Sequence, residues 1–412
     1  MESTQVSITC GIDWAEAHHD VALVDADGTT VAKLRIGTGL PGFTSLMALI
    51  AEHADDPTSV AVAIETDKNL IVAALQAAGL TVYAINPRAV TRYRERSAQA
   101  GGKSDPGDAI VLANILRTDL HVHRSLPRIS ESGLAVKALA RQHQEAIWAR
   151  QLTVNRLRSV LLEFYPNAHK AFPVLTHKAA LEIIGTAPSP AHGLKLTHKR
   201  VVSLLQRSGR GDRPGLAEAI LKHLHEPALR QPAAVEAALS HAVIGMVKVI
   251  KTMEAAIDSL EVAMAAEFDA HHAAELLRSA PGLGAILAAR VLGEVGDDTT
   301  RFATAGGLRA FAGTAPITRA SGRSKVVRTR HVKNTRLADA CHWWAFAAIT
   351  RSPGARAHYD RRRAVGDRHN AALRNVANKL LGRLWWCLLN DLAWDDDAAW
   401  PAFAKAGEQA AA

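Results

Sequence analysis

A chain of 412 residues, 48% hydrophobic and with a mean hydropathy of −0.01, holds enough apolar material for two or three domains with their own cores. Its formal charge of +9 and pI near 9.6 point to a polyanionic partner and say nothing of fold. Met1-Glu2-Ser3-Thr4-Gln5 lacks the basic start and apolar block of a secretory leader, no apolar run reads as long enough to span a bilayer, and Cys10, Cys341 and Cys387 are too scattered for a metal or disulfide framework, so a cytoplasmic protein with no membrane partner is expected.

The region from Val6 to about Arg124 reads as a sheet with helices. Val6 to Asp13 is a strand ending in an aspartate, Val21 to Val24 a second strand, Asp25-Ala26-Asp27-Gly28 a turn, and Val31 to Ile36 a third strand. A helix over about Gly42 to His53 follows. Ser59 to Ile64 is apolar throughout, as in a strand covered on both faces, and ends at Glu65. Leu70 to Ala78 is helical, Thr81 to Ile85 is the fifth strand, and a basic helix carries Arg88, Arg92, Arg94 and Arg96. The Gly101-Gly102 loop then leads into Lys103-Ser104-Asp105-Pro106-Gly107-Asp108-Ala109. Pro106 suits a first helical turn, Asp105 reads as its N-cap, and Ala109 to Leu116 continues the helix. Asp105 and Asp108 are three apart and share a helix side.

Three antiparallel strands followed by alternating helices and parallel strands place the ends of the first and fourth strands side by side. Asp13, Glu65, Asp105 and Asp108 then converge, and four such charges repel unless cations lie between them. Oxygen ligands without His or Cys select Mg²⁺ or Mn²⁺, and two such ions are the usual device at a phosphodiester. Asp20, Asp25, Asp27 and Asp67 read as turn or surface residues.

Gly11-Ile12-Asp13-Trp14-Ala15, Ile64-Glu65-Thr66 and Lys103 to Ala109 together resemble the DEDD transposases of the insertion-sequence-110 family. The resemblance implies a RuvC-like, ribonuclease-H-like amino-terminal domain in which Asp13, Glu65, Asp105 and Asp108 hold two metal ions. Gly-Ile-Asp with a following Val-Asp-Ala-Asp-Gly also resembles the phosphate loop of actin-like ATPases and sugar kinases. That fold needs a second copy of the domain, and the sequence shows none.

The middle, from Ser125 to about His272, carries two long helices. In the first, Ile147, Val154, Leu157, Leu161 and Phe164 alternate at three and four, with Arg150 as the odd member, and Tyr165-Pro166 ends it. In the second, Leu239, Val243, Met246, Ile250, Met253, Ile257, Leu260 and Met264 form an unbroken heptad seam. A self-associating or intramolecular helical hairpin is expected. Between them Lys195 to Arg213 is basic, which a solvated face explains.

From Ala273 to Asn390, Ala280-Pro281-Gly282-Leu283-Gly284 between two apolar helical stretches reads either as a plain interhelical turn or, by resemblance, as a helix-hairpin-helix turn, which offers backbone N–H groups to a phosphate. No acid lies between Asp298 and Asp339, where nine cations fall: Arg301, Arg309, Arg319, Arg323, Lys325, Arg328, Arg330, Lys333 and Arg336. A phosphate track is the natural reading, with Arg319, Arg323, Lys325, Arg328, Arg330, Lys333 and Arg336 as its nucleic-acid-binding set. Gly313, Pro316, Ser321 and Gly322 match the family's Gly…Pro…Ser-Gly block, and the resemblance implies that Ser321 is a nucleophile toward DNA. Trp343, Trp344 and the helix from Leu373 to Leu389 read as core, and the tail after Asp395 as frayed.

The expected fold is α/β plus all-α. Its parts are a RuvC-like mixed-sheet domain (1–124), a helical coiled-coil and oligomerisation region (125–272), a mostly helical transposase domain (273–390) and a flexible tail (391–412). The resemblance implies a site-specific recombinase of an insertion sequence. It also implies a structured non-coding guide RNA, donor and target DNA, a tetramer or dimer of dimers, two Mg²⁺ (or Mn²⁺) ions, and residence with the nucleoid of a prokaryote. The rival readings are a metal-dependent junction nuclease that uses water, and a non-catalytic binder, against which the intact acid set argues.

Overall fold

The computed structural model describes residues 8–97, 105–209, 215–401 and 403, with the side chains of residues 96, 97, 105 and 106 outside that set. Lys103 and Ser104, and Arg210 of the basic middle segment, therefore fall outside the described residues. The chain divides after Arg128 into two units.

The first unit runs β1 (Ile8–Trp14), β2 (His18–Asp25), β3 (Thr30–Gly37), α1 (Leu40–His53), β4 (Ala61–Ile64), α2 (Leu70–Ala77), β5 (Thr81–Ala84), α3 (Pro87–Ser97) and α4 (Asp105–Asp119). The sheet order is β3-β2-β1-β4-β5, antiparallel among the first three and parallel from β1 through β4 to β5. Side chains alternate across a strand, so Cys10, Ile12, Val62 and Ile64 pack with Leu46, Ile50, Val72 and Leu75 of α1 and α2. Ala61 and Ala63 pack on the opposite face with Leu112, Ile115 and Leu116 of α4. Cover on both faces explains why β4 has no polar residue. Helix α4 lies directly on β1: a Cβ at Gly11 would come within 1.9 Å of the Ala109 carbonyl oxygen. Thr9 Oγ1 donates to the Ala113 carbonyl at 3.0 Å and ties the same two elements.

One boundary differs from expectation with consequence. β2 begins at His18, not Val21, which brings Asp20 into the sheet. Asp20 is neither a turn nor a surface residue but is buried, and accepts from Arg35 Nε at 3.0 Å and Nη2 at 2.8 Å. Its polar neighbours hid the strand, because a cross-strand ion pair has no hydrophobic signature.

The second unit is helical: α5 (Glu131–Phe164), α6 (Pro166–Ala171), α7 (Lys178–Thr186), α8 (Pro190–Gly193), α9 (His198–Arg207), α10 (Leu216–Leu224) and α11 (Ala233–Asp269) come first. Then follow α12 (Ala274–Ser279), α13 (Ala285–Val295), α14 (Ala305–Phe311), the ribbon β6 (Ile317–Ser321) and β7 (Ser324–Arg328), α15 (Thr335–Ala348), α16 (Pro353–Ala364), α17 (His369–Asn390) and α18 (Asp396–Ala399). Helices α5 and α11 run antiparallel as an intramolecular hairpin, with one core at each end. Arg150, the odd seam member, meets Glu254 of α11 at 2.8 Å.

The heptad seam closes inside the chain. Val243, Ile250, Ile257 and Met264 are buried, Val247 joins them, and Leu239, Met246, Met253 and Leu260 are only partly covered. α5 carries a matching apolar line, so no second copy is needed to cover this one. The expectation that no stretch is long and apolar enough to cross a bilayer fails for α11, which has an 18-residue window of mean hydropathy 1.6. Its alanines and valines raise the average, while Glu254 and Glu261 pair across the hairpin with Arg150 and His143. The described start of the tail packs on the second unit: Ser352 Oγ donates to Asp396, and Trp400 is buried against Gly354.

Candidate active site

In β1 and β4 the register pairs Ile12 with Ile64, so Asp13 and Glu65 come next, at the carboxyl ends of adjacent parallel strands. Asp13 alternates with Gly11 and Thr9, the residues on which α4 rests, and Glu65 continues the alternation of Ala61 and Ala63. Asp13 therefore belongs to the α4 face, and Glu65 follows directly on the end of β4. Asp108 adjoins Ala109, the residue seated on Gly11, and is itself buried in the first turns of α4. The structure thus brings three of the four predicted carboxylates to one end of the sheet, beside the start of α4, without all their oxygens lying within 4.8 Å of one another. The side chain of Asp105, at the start of the same helix, lies outside the described set.

Two cations already answer acids on this face. Arg94 of α3 makes an ion pair with Asp108. Arg35 clamps Asp20, which is the cross-strand partner of Asp13 and so shares its face. Asp20 is the acid that sequence reasoning missed; the signal for it was Arg35, which alternates with Lys33 on the exposed side of β3. Asp13, Glu65 and Asp108 are oxygen donors without a thiolate or imidazole among them, which suits Mg²⁺ or Mn²⁺. Trp14 alternates to the other side of the sheet, where with Leu40, Phe43 and Leu70 it lines an apolar cavity of about 390 Å³.

Among the described residues, the metal-type groups whose ligand atoms all fall within 4.8 Å of one another are His271, His272 and Asp297, in the second unit. Hydrogen bonding accounts for two of them. Ser130, the N-cap of α5, donates to Asp297 from its N–H at 3.1 Å and from its hydroxyl. Ala273 N–H donates to His271 Nδ1 at 3.1 Å, so the ring proton sits on Nε2 and faces Asp297 Oδ2 at 3.2 Å. This cluster fastens a helix end.

Ser321 ends β6. It pairs with Ser324, and Gly322 and Arg323 form the two-residue turn between them. Gly322 has φ +54°, and Arg323 keeps a negative φ, the pattern of a type II′ hairpin turn. Every residue from Thr318 to Arg328 is exposed. The register places Arg319, Ser321, Ser324 and Arg328 on one face of the ribbon, and Ala320 and Lys325 on the other. Geometry alone does not separate Ser321 from Ser324, because the two are opposite one another.

The expected cation track is shorter than the sequence suggests. Arg336 pairs with Glu145 of α5 and lies 5.5 Å from the Trp148 ring centroid. Arg301 donates to the carbonyls of Glu294 and Val295 and stacks on Phe302 and Phe311. The aliphatic stem of Lys333 packs over Gly313. A gap without acids in sequence is met in space by the Glu145 carboxylate of α5 and by backbone carbonyls at the end of α13. The Ala280–Gly284 turn is present, with Gly282 at φ +82° against the end of α15 and Gly284 exposed at the start of α13.

Two family profiles match this chain. One, described as Transposase and of the IS110 DEDD type, covers residues 10–166; the other, described as Transposase IS116/IS110/IS902 family, covers residues 274–360. The first spans all four carboxylates and the second spans the ribbon. A Streptomyces coelicolor protein named as a candidate mini-circle transposase for IS117 is 46% identical over 412 residues, covering 98% of this chain and 100% of its own length. The insertion element IS110 uncharacterized 43.6 kDa protein of the same organism is 30% identical over 289 residues, 69% of this chain and 70% of its own. The IS900 uncharacterized 42 kDa protein of Mycobacterium paratuberculosis is 27% identical over 396 residues, 94% and 96% of the two chains.

Proposed function

This chain belongs to the IS110 family of transposases, and on that premise we propose that it is a site-specific recombinase that cuts and rejoins DNA through a Ser321–DNA ester beside a two-Mg²⁺ site. The observation that supports this reading is the register of β1 and β4 beneath α4, which puts Asp13 and Glu65 at neighbouring strand ends beside the helix that carries Asp108. Asp13, Glu65, Asp105 and Asp108 would hold the ions, which supply activation of the attacking oxygen and charge stabilisation at the leaving oxygen. Arg319, two residues from Ser321 on the same ribbon face, holds the scissile phosphate there, and Arg328, further along that face opposite Ile317, holds the DNA backbone beyond it. A serine hydroxyl needs its proton removed before it attacks. As the Oγ–P bond forms, one P–O bond of the DNA breaks. The ester conserves that bond's energy, so attack by a DNA hydroxyl rejoins the strand.

The family resemblance further supports guidance by a structured non-coding RNA, with sequence choice delegated to base pairing. It also supports a tetramer in which the carboxylates of one subunit serve Ser321 of another.

The experiment is strand cleavage of donor and target DNA with Mg²⁺ by four single variants, Asp13→Ala, Glu65→Ala, Asp105→Ala and Asp108→Ala. Each is expected to lower cleavage at least a hundredfold while retaining DNA binding, and chelation of the metal is expected to do the same to the parent. Parental cleavage by Asp13→Ala and Asp108→Ala together would remove the metal site from this account.

A further inference from the structure

Trp343 and Trp344 are adjacent in α15 and meet opposite fates. Trp344 is fully buried and its Nε1 donates to the Pro281 carbonyl at 3.0 Å. Trp343, expected in the core, is 49% exposed. Phe346, three residues on and hence on the same helix face, is 45% exposed. These two rings belong to a continuous row. Trp343 to Phe346 is 6.1 Å between centroids, Phe346 to His369 is 6.4 Å, and His369 to Tyr359 is 5.8 Å. Tyr359 Oη and His369 Nδ1 lie 2.8 Å apart, which fixes the far end of the row. Helices α15, α16 and α17 each contribute to it.

The row runs into positive charge. Arg361, Arg362 and Arg363 form the last turn of α16, and Arg368 directly precedes His369 at the start of α17. Arg361, Arg363 and Arg368 are exposed. Asp367 takes up Arg362, at 2.7 Å, and its carbonyl accepts from Arg363. Trp386, the other exposed tryptophan of the second unit's helices, shows the alternative: Arg383 covers it at 4.2 Å.

We infer that this ring row, with the arginines of the α16–α17 junction, is a second nucleic-acid surface that holds an unpaired DNA strand. Exposed aromatic rings beside cations are what single strands bind, because bases stack on the rings while phosphates meet the charges. In a duplex the base faces are already stacked on one another. A second copy of this chain is a poorer occupant, since a two-fold contact would set Arg361, Arg363 and Arg368 against their own like charges. Cutting and rejoining strands generates unpaired DNA, so the partner is supplied by the family's own reaction. The inference does not depend on Ser321 or on the metal site.

The test uses the full chain in EDTA, so that no cleavage occurs and a wrong assignment of the metal site or Ser321 leaves the reading unaffected. Fluorescence anisotropy reports binding of a labelled oligothymidylate of about 16 nucleotides. The Trp343→Ala/Phe346→Ala variant is expected to bind it at least tenfold more weakly, with a duplex of equal length bound within twofold of the parent. Trp343→Phe should keep most of the affinity. Thermal melting of each variant reports the fold; should the double variant fail to fold, Arg368→Glu is read in its place, with the same loss on single strand expected. Single-strand affinity within twofold of the parent overturns the inference. So does a lower mass of the double variant by light scattering, which would make the row a contact between copies. Tighter binding of the matching oligouridylate, lost on the same substitutions, would reassign the surface to RNA.

Discussion

Gly11 is where sequence and site meet most closely. Its missing side chain lets α4 lie on β1, and a Cβ there would sit 1.9 Å from a backbone oxygen that no rotamer change can move. Gly11→Ala should therefore lift α4 and carry Asp108 with it. The expected cost is about 1–3 kcal/mol of stability, as for overpacking generally, with cleavage lost more completely than DNA binding. A melting temperature and cleavage rate equal to the parent's would show that α4 tolerates the shift. Glycine in Gly-Ile-Asp thus has a packing reason that the sequence did not disclose. The acids at strand ends were legible because apolar runs stopped at them. Asp20 was not, because its partner Arg35 lies on another strand.

At the scale of elements, α5 ties the second unit together through buried polar groups. Glu294 of α13 accepts from Arg141 Nε at 2.7 Å and Nη2 at 2.9 Å, and from Asn334 Nδ2 at 2.7 Å. Asn334 is also the N-cap of α15 and donates its N–H to the Phe311 carbonyl at 2.7 Å, so it clamps the base of the β6–β7 ribbon. Burial pushes the Glu294 carboxyl up, but the hydrogen bonds from Arg141 and Asn334 outweigh it, and the net direction is below the ordinary 4.5. A carboxyl depressed in the folded state contributes stability that is present above its unfolded pKa and lost as pH falls through the folded value. Glu294→Gln is expected to cost about 1.5–3 kcal/mol at pH 7 in urea unfolding. The difference from the parent should shrink as the pH is lowered below 4.5. A difference independent of pH would mean that the carboxylate charge contributes nothing.

The elements themselves were mostly readable, and the exceptions share a physical cause. Periodicity reports burial, so the half-covered strands and the two long helices stood out. The β6–β7 ribbon is exposed on both faces and has no such periodicity; only Ser-Gly-Arg-Ser marked its turn. Trp343 and Trp344 are adjacent, and only the partners of α15 decide which of them is buried.

Across the whole molecule, the net charge of +9 conceals two kinds of cation. Arg328 stands on the exposed ribbon, whereas Arg336 is held by Glu145 and Trp148. Arg328→Ala should lower DNA affinity and reduce the salt dependence by about one phosphate contact. Arg336→Ala should leave the salt slope unchanged and lower stability instead. Equal slopes for the two variants would restore the longer track that the sequence suggested.

The proposed recombination turns on a DNA ester at Ser321, and a search for that ester tests it without an intermediate step. Reactions with Mg²⁺ are quenched in denaturant, the DNA is digested to a nucleotide remnant, and peptides are sequenced by mass spectrometry. The predicted result is a nucleotide-bearing peptide modified at Ser321, absent from Ser321→Ala and present in Ser324→Ala, with Ser321→Ala still binding DNA like the parent. Cleaved DNA without any adduct, or an adduct on Ser324, would contradict the claim; the first outcome would leave a metal nuclease that uses water.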